Sequence, residues 1–446
     1  MVMRSGQHPE SGMTLVEIMI TLIISSIVAA STFMFFAGQQ RIYETQTKLL
    51  NIQQNVWAAM EVVARYVRAS GSGMYECVRP ANYSDPSVQG ASKLISTNPS
   101  DGPLTASLSL RPQTGIRAWD SVANQMQWIP PLWIVNNSTT DAGVVQNTDI
   151  VTVAFGNGTS GADTDVLLDP NHAFLNTTDS IVLLGANSGN MFRAGEFVLL
   201  LVTPSWGFGN NPRLDRGCTM FQITGDPTNS TMLPHGAVPF VTDGIVWNPG
   251  GNVPDMLPPA PDSLPPPTGY WLNSGNNSAG VRNFGQLTWI RFYIATNGAG
   301  TPQLMMRRLD QPGDASAAQV LAEGIEDFQV AFACDTGPNG SYDLTNLNGQ
   351  LDEGINDTAK KTDEWWNNVP YDTLPPPGSQ GFCNLPMAVR LTMVVRTLTP
   401  DDLIDPNLTG NGPLDVEDHR YSTRPTDQYR RRVLSTTVYP RNNKPL

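Results

Sequence analysis

Basic residues are scarce in this chain of 446 residues. Lysine and arginine number 27 against 40 aspartates and glutamates, which gives a formal net charge of −13 at pH 7. Nucleic acids and anionic membrane surfaces bind cationic patches, so neither is expected as a primary partner. A basic run at 430–432 falls in a predicted strand, where its arginines are expected to pair with carboxylates across the sheet rather than with phosphate.

Catalytic motifs are lacking as well. The chain contains four histidines, and it has no HExxH, no GxSxG elbow and no GxxxxGK[ST] phosphate loop. His172, His235 and His419 lie far apart in sequence, and His8 lies close to the amino terminus. We therefore expect no enzymatic activity. A membrane-anchored periplasmic enzyme is the alternative, and it predicts a deep pocket with perturbed titratable groups.

Charge is missing altogether from one stretch near the amino terminus. Between Glu17 and Arg41 there is no charged residue, and the apolar run 18–37 has the length that a helix needs to cross a bilayer. Glu17 lies at the start of this run with apolar residues on both sides, where an ionised carboxylate is costly and indicates a function. Gly12 joins a polar leader, 1–12, to the apolar segment and offers a protease an unbranched backbone.

The segment GMTLVE, residues 12–17, resembles the processing signal of type IV pilins and pseudopilins. The resemblance implies that a prepilin peptidase cuts between Gly12 and Met13 and methylates the new amine of Met13. It also implies that Glu17 pairs with that amine on a neighbouring subunit, since a carboxylate in lipid needs an opposite charge. Two alternatives stay open: Thr14 and Glu17 form only a helix cap, or the segment is a secretory signal peptide.

The sequence after the apolar run predicts a continuation of the same helix. Residues 39–69 contain no proline, and apolar residues recur in steps of three and four at Leu49, Ile52, Val56, Met60, Val63 and Val67. We expect one helix over 13–69, with Gly38 as its weak point and the glycines of 70–73 as its end. The helix is thus transmembrane over 13–37 and amphipathic over 38–70.

The remainder, 71–446, predicts a large β domain. Short segments rich in Val, Ile, Phe and Thr are bounded by turn residues, and no comparable helical pattern separates them. The predicted strands are 147–155, 180–184, 196–203, 218–225, 287–295, 321–332, 387–397 and 429–442. The predicted fold class is α+β, a long helix packed on a mainly antiparallel β domain with Pro/Gly-rich loops. Of these, 248–270 is expected to be a stiff surface loop or linker, or else a partner-binding segment.

The segment 60–77, MEVVARYVRASGSGMYEC, is similar to the helix end of PilW-type minor pilins, and several predicted strands follow in that family's order. The resemblance implies a minor pilin that primes type IV pilus assembly. We expect it at the tip of the filament, because a bulky β domain suits a tip better than a shaft, where repeated subunits must pack closely around their helices. Implied partners are other minor pilins, the major pilin, the prepilin peptidase and the assembly platform.

 The same resemblance implies a single-pass inner-membrane protein with a periplasmic carboxyl-terminal domain, which moves to the cell-surface pilus on assembly and serves motility and cell adhesion.

Two other roles are compatible with the same anchor. A minor pseudopilin of a type II secretion system would prime a short periplasmic filament instead of a pilus. A surface adhesin would bind through the loops around Trp271 or through Trp365 and Trp366, and exposed tryptophans at these positions would support it.

The four cysteines, Cys77, Cys218, Cys334 and Cys383, are widely spaced and include no CxxC. This spacing argues against zinc, and an even number behind a membrane anchor fits an oxidising periplasm. Three connectivities are possible. We favour Cys77 with Cys218, which closes the helix end onto an early strand, and Cys334 with Cys383, which staples the loops around 351–377. Four reduced, buried cysteines are the alternative.

Oxygen-bearing side chains recur after the predicted strand 321–332. Asp335, Asn339 and Asp343 surround Gly340 partly as in a calcium loop, and Asp352, Glu353 and Asp357 could complete a shell. The pattern departs from an EF-hand because glycine and asparagine replace two of its ligands, at 337 and 346. We expect either a structural calcium ion that neutralises these carboxylates or an acidic, solvated turn.

Overall fold

The structure is a computed structural model, and it is described here over a defined set of residues. These are 14–74, 95–96, 116–120, 125–129, 131–138, 143–158, 166–169, 181–203, 218–237, 246–248, 278–310, 318–333, 365–366, 388–401, 416 and 427–440. The chain divides into two compact units, Met1–Gln54 and Asn55–Leu446, and each is treated by itself.

The helix α1 spans Leu15–Ala69, a single run of 55 residues. It passes through Gly38 without a break, so this glycine does not interrupt it. The helix ends where predicted, because Gly71 adopts a φ of 75°, a left-handed conformation that glycine enters at no steric cost. The Gly71 amide then donates a hydrogen bond of 2.9 Å to the carbonyl oxygen of Ala154, which turns the chain away from the helix axis.

Eighteen strands follow in the described part of the chain. They are β1 Ile95–Ser96, β2 Ile116–Asp120, β3 Gln125–Ile129, β4 Leu132–Ser138, β5 Thr148–Gly156, β6 Val166–Leu167, β7 Ile181–Val182, β8 Phe197–Thr203, β9 Cys218–Gln222, β10 Met232–Leu233, β11 Ser278–Gly285, β12 Leu287–Thr296, β13 Pro302–Arg308, β14 Gln319–Glu323, β15 Ile325–Ala333, β16 Trp365–Trp366, β17 Ala388–Arg396 and β18 Arg431–Val438.

The strands form three sheets and a two-stranded ribbon. Sheet 1 has the order β1-β4-β5-β12-β13-β14, sheet 2 has the order β3-β2-β9-β8-β11-β6, and sheet 3 has the order β16-β15-β17-β18. The ribbon pairs β10 with β7. Among these pairings only β1 with β4 and β2 with β9 are parallel. The predicted α+β class with a mainly antiparallel β domain is confirmed.

Sheet 2 lies in the middle of a layered core because both of its faces are apolar. One face contributes Ile116, Leu199 and Met220 to a cluster that also contains Ala154 and Trp289 of sheet 1. The opposite face packs on the ribbon in a second cluster, which includes Val198, Phe221, Val281, Ile181 and Leu233. Side chains alternate between the two faces of a strand, so neighbours such as Val198 and Leu199 enter different layers.

The end of α1 packs within the second unit through the predicted stripe. Val56, Met60, Val63 and Val67 are all buried. The ring of Tyr66 lies 6.1 Å from that of Phe155 on β5 and 5.7 Å from that of Phe292 on β12, centroid to centroid. Complete burial of a valine or methionine side chain, such as those of this stripe, stabilises the fold by about 1.5–3 kcal/mol. The amphipathic continuation of the helix is therefore part of the core of the β domain.

One predicted strand is in fact two strands, which are separated by a single glycine. The sequence predicts a strand over 321–332, but the chain forms β14 in sheet 1 and β15 in sheet 3, with Gly324 at the corner. Gly324 has a φ of 78°, and a Cβ there would lie 2.7 Å from the carbonyl oxygen of Arg396. Alternating hydrophobicity continues across the corner, so the pattern does not reveal the change of sheet.

The other predicted strands are present with shifted ends. Those at 147–155, 196–203, 218–225, 287–295, 387–397 and 429–442 correspond to β5, β8, β9, β12, β17 and β18. The segment 180–184 forms only the two-residue strand β7. The strands that lack strong apolar alternation, such as β3 and β13, were not predicted.

Candidate functional site

The first turn of α1 is held by a reciprocal pair of hydrogen bonds between Thr14 and Glu17. The Thr14 amide donates to Glu17 Oε2 at 3.0 Å, and the Glu17 amide donates to Thr14 Oγ1 at 3.3 Å. The Thr14 hydroxyl also donates to Glu17 Oε2 at 3.0 Å. The first amide groups of a helix have no acceptor within the helix. This capping box provides acceptors for two such amides, those of Thr14 and Glu17. The capping box is therefore present, and the role of Glu17 in assembly stays a prediction.

The cap leaves part of the Glu17 carboxylate available. Its Oε2 atom accepts both hydrogen bonds from Thr14, whereas Oε1 accepts none from any residue that the structure describes. Both residues are exposed. An amine from outside the chain can therefore approach Oε1 without breaking the cap.

The span that follows is suited to an apolar environment. In the described residues one helix is long and apolar enough to cross a membrane, by length and composition, and none of its apolar window is buried. Four of its hydroxyl groups donate to backbone carbonyl oxygens within the helix. Thr21 donates to the Glu17 carbonyl oxygen at 2.9 Å and Ser26 to that of Ile23 at 2.7 Å. The hydroxyl groups of Ser31 and Thr32 likewise donate to the carbonyl oxygens four residues earlier in the helix. Such bonds remove the cost of placing hydroxyl groups in lipid.

Exposed large apolar side chains continue from the uncharged run past its end. Phe36, Tyr43 and Leu50 recur every seventh residue, and each is more than half exposed. A spacing of seven places them along one side of the helix. The first unit thus presents an apolar face to other molecules past the end of the predicted span.

Several predicted site residues lie outside the described part of the chain. Gly12 and Met13, the predicted cleavage and methylation site, precede its first residue. The six predicted calcium ligands, the tryptophan of the adhesin alternative at 271, and Cys77, Cys334 and Cys383 also lie outside it. Cys218 begins β9, and Trp365 with Trp366 forms β16, but these side chains are not described. The predictions for these residues stay predictions.

A charge cluster joins three strands of sheet 3 around Arg431. The Arg431 guanidinium donates to Glu326 Oε2 at 2.6 Å and Oε1 at 3.0 Å, and to Asp427 Oδ2 at 2.6 Å and Oδ1 at 2.7 Å. Arg396 Nη1 lies 3.7 Å from Glu326 Oε1. Glu326 is on β15, Arg396 on β17 and Arg431 on β18, so the cluster ties the sheet across its width.

The two bidentate contacts shift the ionisation of their groups. Burial alone would raise the pKa of Asp427, but hydrogen bonds from Arg431 and the Tyr429 amide, with the charges of Arg431 and Arg396, hold it below its usual value. Burial likewise opposes the charge of Arg431, yet Asp427 and Glu326 raise its pKa above the ordinary value. Both groups therefore stay ionised at neutral pH.

The three adjacent arginines at the start of β18 have different environments. Arg430 Nε donates to Asp401, and the guanidinium of Arg431 is nearly fully buried against its two carboxylates. Arg432 is exposed, and no described carboxylate pairs with it. The predicted pairing with carboxylates is confirmed for Arg430 and Arg431.

Buried polar groups connect sheet 3 to sheet 1. Asp149 Oδ2 on β5 accepts a hydrogen bond of 2.7 Å from the Val330 amide on β15. The Gln329 side-chain amide donates to the Asn147 carbonyl oxygen and to Asp327 Oδ1, both at 2.8 Å. A buried carboxylate without such donors would be costly, so these bonds fix how the two sheets dock.

A shallow groove among the described residues bears on the enzyme alternative. It is lined by Asn190, Phe192, Arg193, Ala194, Asp226 and Thr228. Hydrogen bonds from the hydroxyl and the amide of Thr228 lower the pKa of Asp226, so this carboxylate is ionised rather than poised for proton transfer. Within the described residues, no three His, Cys, Asp or Glu side chains are grouped to hold a metal ion.

The described residues combine a capped apolar helix that is long enough to cross a membrane with a layered β domain in which the end of that helix packs, which suggests a membrane-anchored α+β protein. Comparison with protein families makes this class specific. Residues 8–33 match the family described as Prokaryotic N-terminal methylation motif. Residues 291–442 match the family described as Type IV Pilus-assembly protein W. Both segments thus match families of the type IV pilus system, and the predicted resemblance to PilW-type minor pilins is confirmed.

These two matches support a pilin-like role in pilus assembly and imply interaction with the prepilin peptidase and the pilus machinery. They indicate a structural assembly protein rather than an enzyme. No curated protein and no solved structure shows significant similarity to the chain. The PilW match begins within β12 and includes sheet 3, so the charge cluster around Arg431 belongs to the matched region.

Proposed function

We propose that this chain is a minor pilin that primes type IV pilus assembly and sits at the filament tip. The observation that carries the proposal is the presence of both family signatures on one chain, with a capped Glu17 at the start of the apolar helix. The match to a pilus-assembly family favours a pilus over the filament of a type II secretion system.

The start of the helix supports a specific assembly step. Cleavage after Gly12 frees the amine of Met13, and its methylation keeps that amine cationic. In the membrane, this amine of a neighbouring subunit pairs with Oε1 of Glu17, which the Thr14 cap leaves open. The pairing neutralises two charges in lipid at once, so it favours only the axial position at which amine and carboxylate meet.

The rest of the helix and the β domain support the position at the tip. The exposed face with Phe36, Tyr43 and Leu50 provides apolar area for contact with neighbouring helices, those of other minor pilins and of the major pilin. The second unit contains three sheets and a ribbon, which is bulky for a repeated shaft subunit. A domain of this size is accommodated most easily where no further subunit is stacked above it.

Substitution of Glu17 tests the proposal. We expect Glu17→Gln to be cleaved normally but to be depleted at least about tenfold from sheared pili, because the amide carries no charge to pair with the amine. Glu44→Gln is the matched control, since Glu44 is an exposed glutamate of the same helix beyond the uncharged run. Normal recovery of Glu17→Gln in purified pili would contradict the role of Glu17 in assembly.

A further inference from the structure

We propose that the outer edge of β18 is a docking edge for an extended segment of a different filament subunit that brings an acidic residue to Arg432. The inference rests on the proposed function, because the filament supplies the neighbouring subunit. It adds a binding surface in the β domain to the contacts of the helix.

The first observation is that β18 is the last strand of its sheet. It pairs with β17 over eight consecutive residue pairs, from Val389 with Val438 to Arg396 with Arg431, without a register shift. In the described part of the chain no strand pairs with its other side. The edge strand β14 of sheet 1 differs, since its pairing with β13 is interrupted by a register shift.

The direction of the backbone groups follows from the pairing. The Thr397 amide donates to the Arg430 carbonyl oxygen at 2.9 Å, so the backbone of Arg430 faces β17. Backbone groups of an antiparallel strand alternate between its two sides. The amide and carbonyl groups of Val433, Ser435 and Thr437 therefore point away from β17, toward the open edge.

The strand has few of the features that usually block pairing, and its exposed charged residue is Arg432. Between Arg431 and Val438 there is no proline, glycine or lysine, and the strand has no bulge. Val433 is 43% exposed, although its cross-strand partner Val394 is 1% exposed. Natural edge strands normally carry such protection because a regular open edge recruits other strands. A regular, partly apolar edge whose exposed charge is that of Arg432 fits addition of a strand that neutralises this charge.

The charges identify the kind of partner. Arg430 and Arg431 are neutralised by Asp401, Glu326 and Asp427, whereas Arg432 is exposed without a carboxylate among the described residues. The strand itself contains no acidic residue. A second copy paired through the same edge would add arginines without a carboxylate. A strand from a different subunit with an aspartate or glutamate opposite Arg432 complements the edge.

Site-specific photocrosslinking of the full-length chain in piliated cells tests this edge. The probe is p-benzoylphenylalanine at Val433, and the same probe at Leu184, which is exposed but lies outside the named strands, is the positional control. We expect adducts from Val433 in sheared pili whose mass identifies a second subunit with a prepilin motif. Leu184 is expected to give no such adduct.

Two pairs of variants separate edge pairing from folding. Ser435→Pro removes an outward amide, while Ser435→Ala keeps it, and both lose the hydroxyl that lies 3.1 Å from that of Thr392. Arg432→Glu reverses the free charge, while Arg432→Lys keeps it. We expect Ser435→Pro and Arg432→Glu to reduce the adduct at least about fivefold relative to their matched controls, with equal amounts of chain in the membrane.

The outcomes distinguish the inference from the function on which it rests. Equal adduct yields in Ser435→Pro and Ser435→Ala, an adduct with the mass of two copies of this chain, or no adduct from chains that are present in pili would each overturn the docking edge alone. Absence of the unsubstituted chain from pili would overturn the proposed function and the docking edge with it.

Discussion

Replacement of Arg431 by methionine tests how sheet 3 is held together. The change removes the four hydrogen bonds that Arg431 donates to Glu326 and Asp427 and leaves these carboxylates without their main counter-charge. Loss of one partner of a buried ion pair costs about 3–5 kcal/mol. The side chains of Glu326 and Asp427 are 16% and 21% exposed, so water recovers part of the loss. We expect the free energy of unfolding to fall by about 2–4 kcal/mol.

The adjacent arginines are matched controls in the same strand region. Arg430→Met breaks a pair in which the arginine is 35% exposed, so a loss of about 1 kcal/mol is expected. Arg432→Met is expected to stay within about 0.5 kcal/mol of the unsubstituted chain. Urea unfolding of the detergent-solubilised full chain, followed by tryptophan fluorescence, measures all three. Equal losses for the three variants would refute the assignment of the buried cluster to Arg431.

Three further predictions concern the β domain. Gly324→Ala is expected to lower the free energy of unfolding by at least about 2 kcal/mol, because the residue has a positive φ and a Cβ would clash with the Arg396 carbonyl oxygen. Gly300 has a similar φ but open space around it, so Gly300→Ala should cost about half as much in the same urea titration. Because the pKa of Asp427 is lowered in the folded state, its stabilising effect is present above about pH 4 and is lost as the pH falls through the folded-state pKa. Asp427→Asn should therefore reduce the loss of thermal stability that is measured on acidification. An unchanged acid profile would contradict this. Calcium at about millimolar concentration should raise the melting temperature if Asp335, Asn339 and Asp343 bind it, and no shift would remove the ion from the account.

The sequence predicted the features that depend on periodicity and on short motifs. The absence of charge over 18–37 and the stripe from Val56 to Val67 reflect burial or lipid exposure along a helix, and both are local patterns. The capping box of Thr14 and Glu17 is encoded within four residues, so it could be read directly. The motif match over 8–33 agrees with the predicted resemblance of residues 12–17 to a prepilin processing signal.

The features that the sequence did not predict depend on distant residues. The corner at Gly324 is defined by the approach of Arg396, which lies on another strand. The arginine run indicated ion pairs, but only the structure shows that Glu326 and Asp427 meet at Arg431 and that no described carboxylate pairs with Arg432. The open edge of β18 likewise follows from its place in sheet 3 and not from its own residues.

The intact mass of the protein from membranes, with and without the prepilin peptidase, tests the central claim most directly. The account predicts loss of residues 1–12 and the addition of one methyl group to Met13, both dependent on the peptidase. An unprocessed amino terminus in cells that contain the peptidase would contradict the account and reduce α1 to an ordinary membrane anchor.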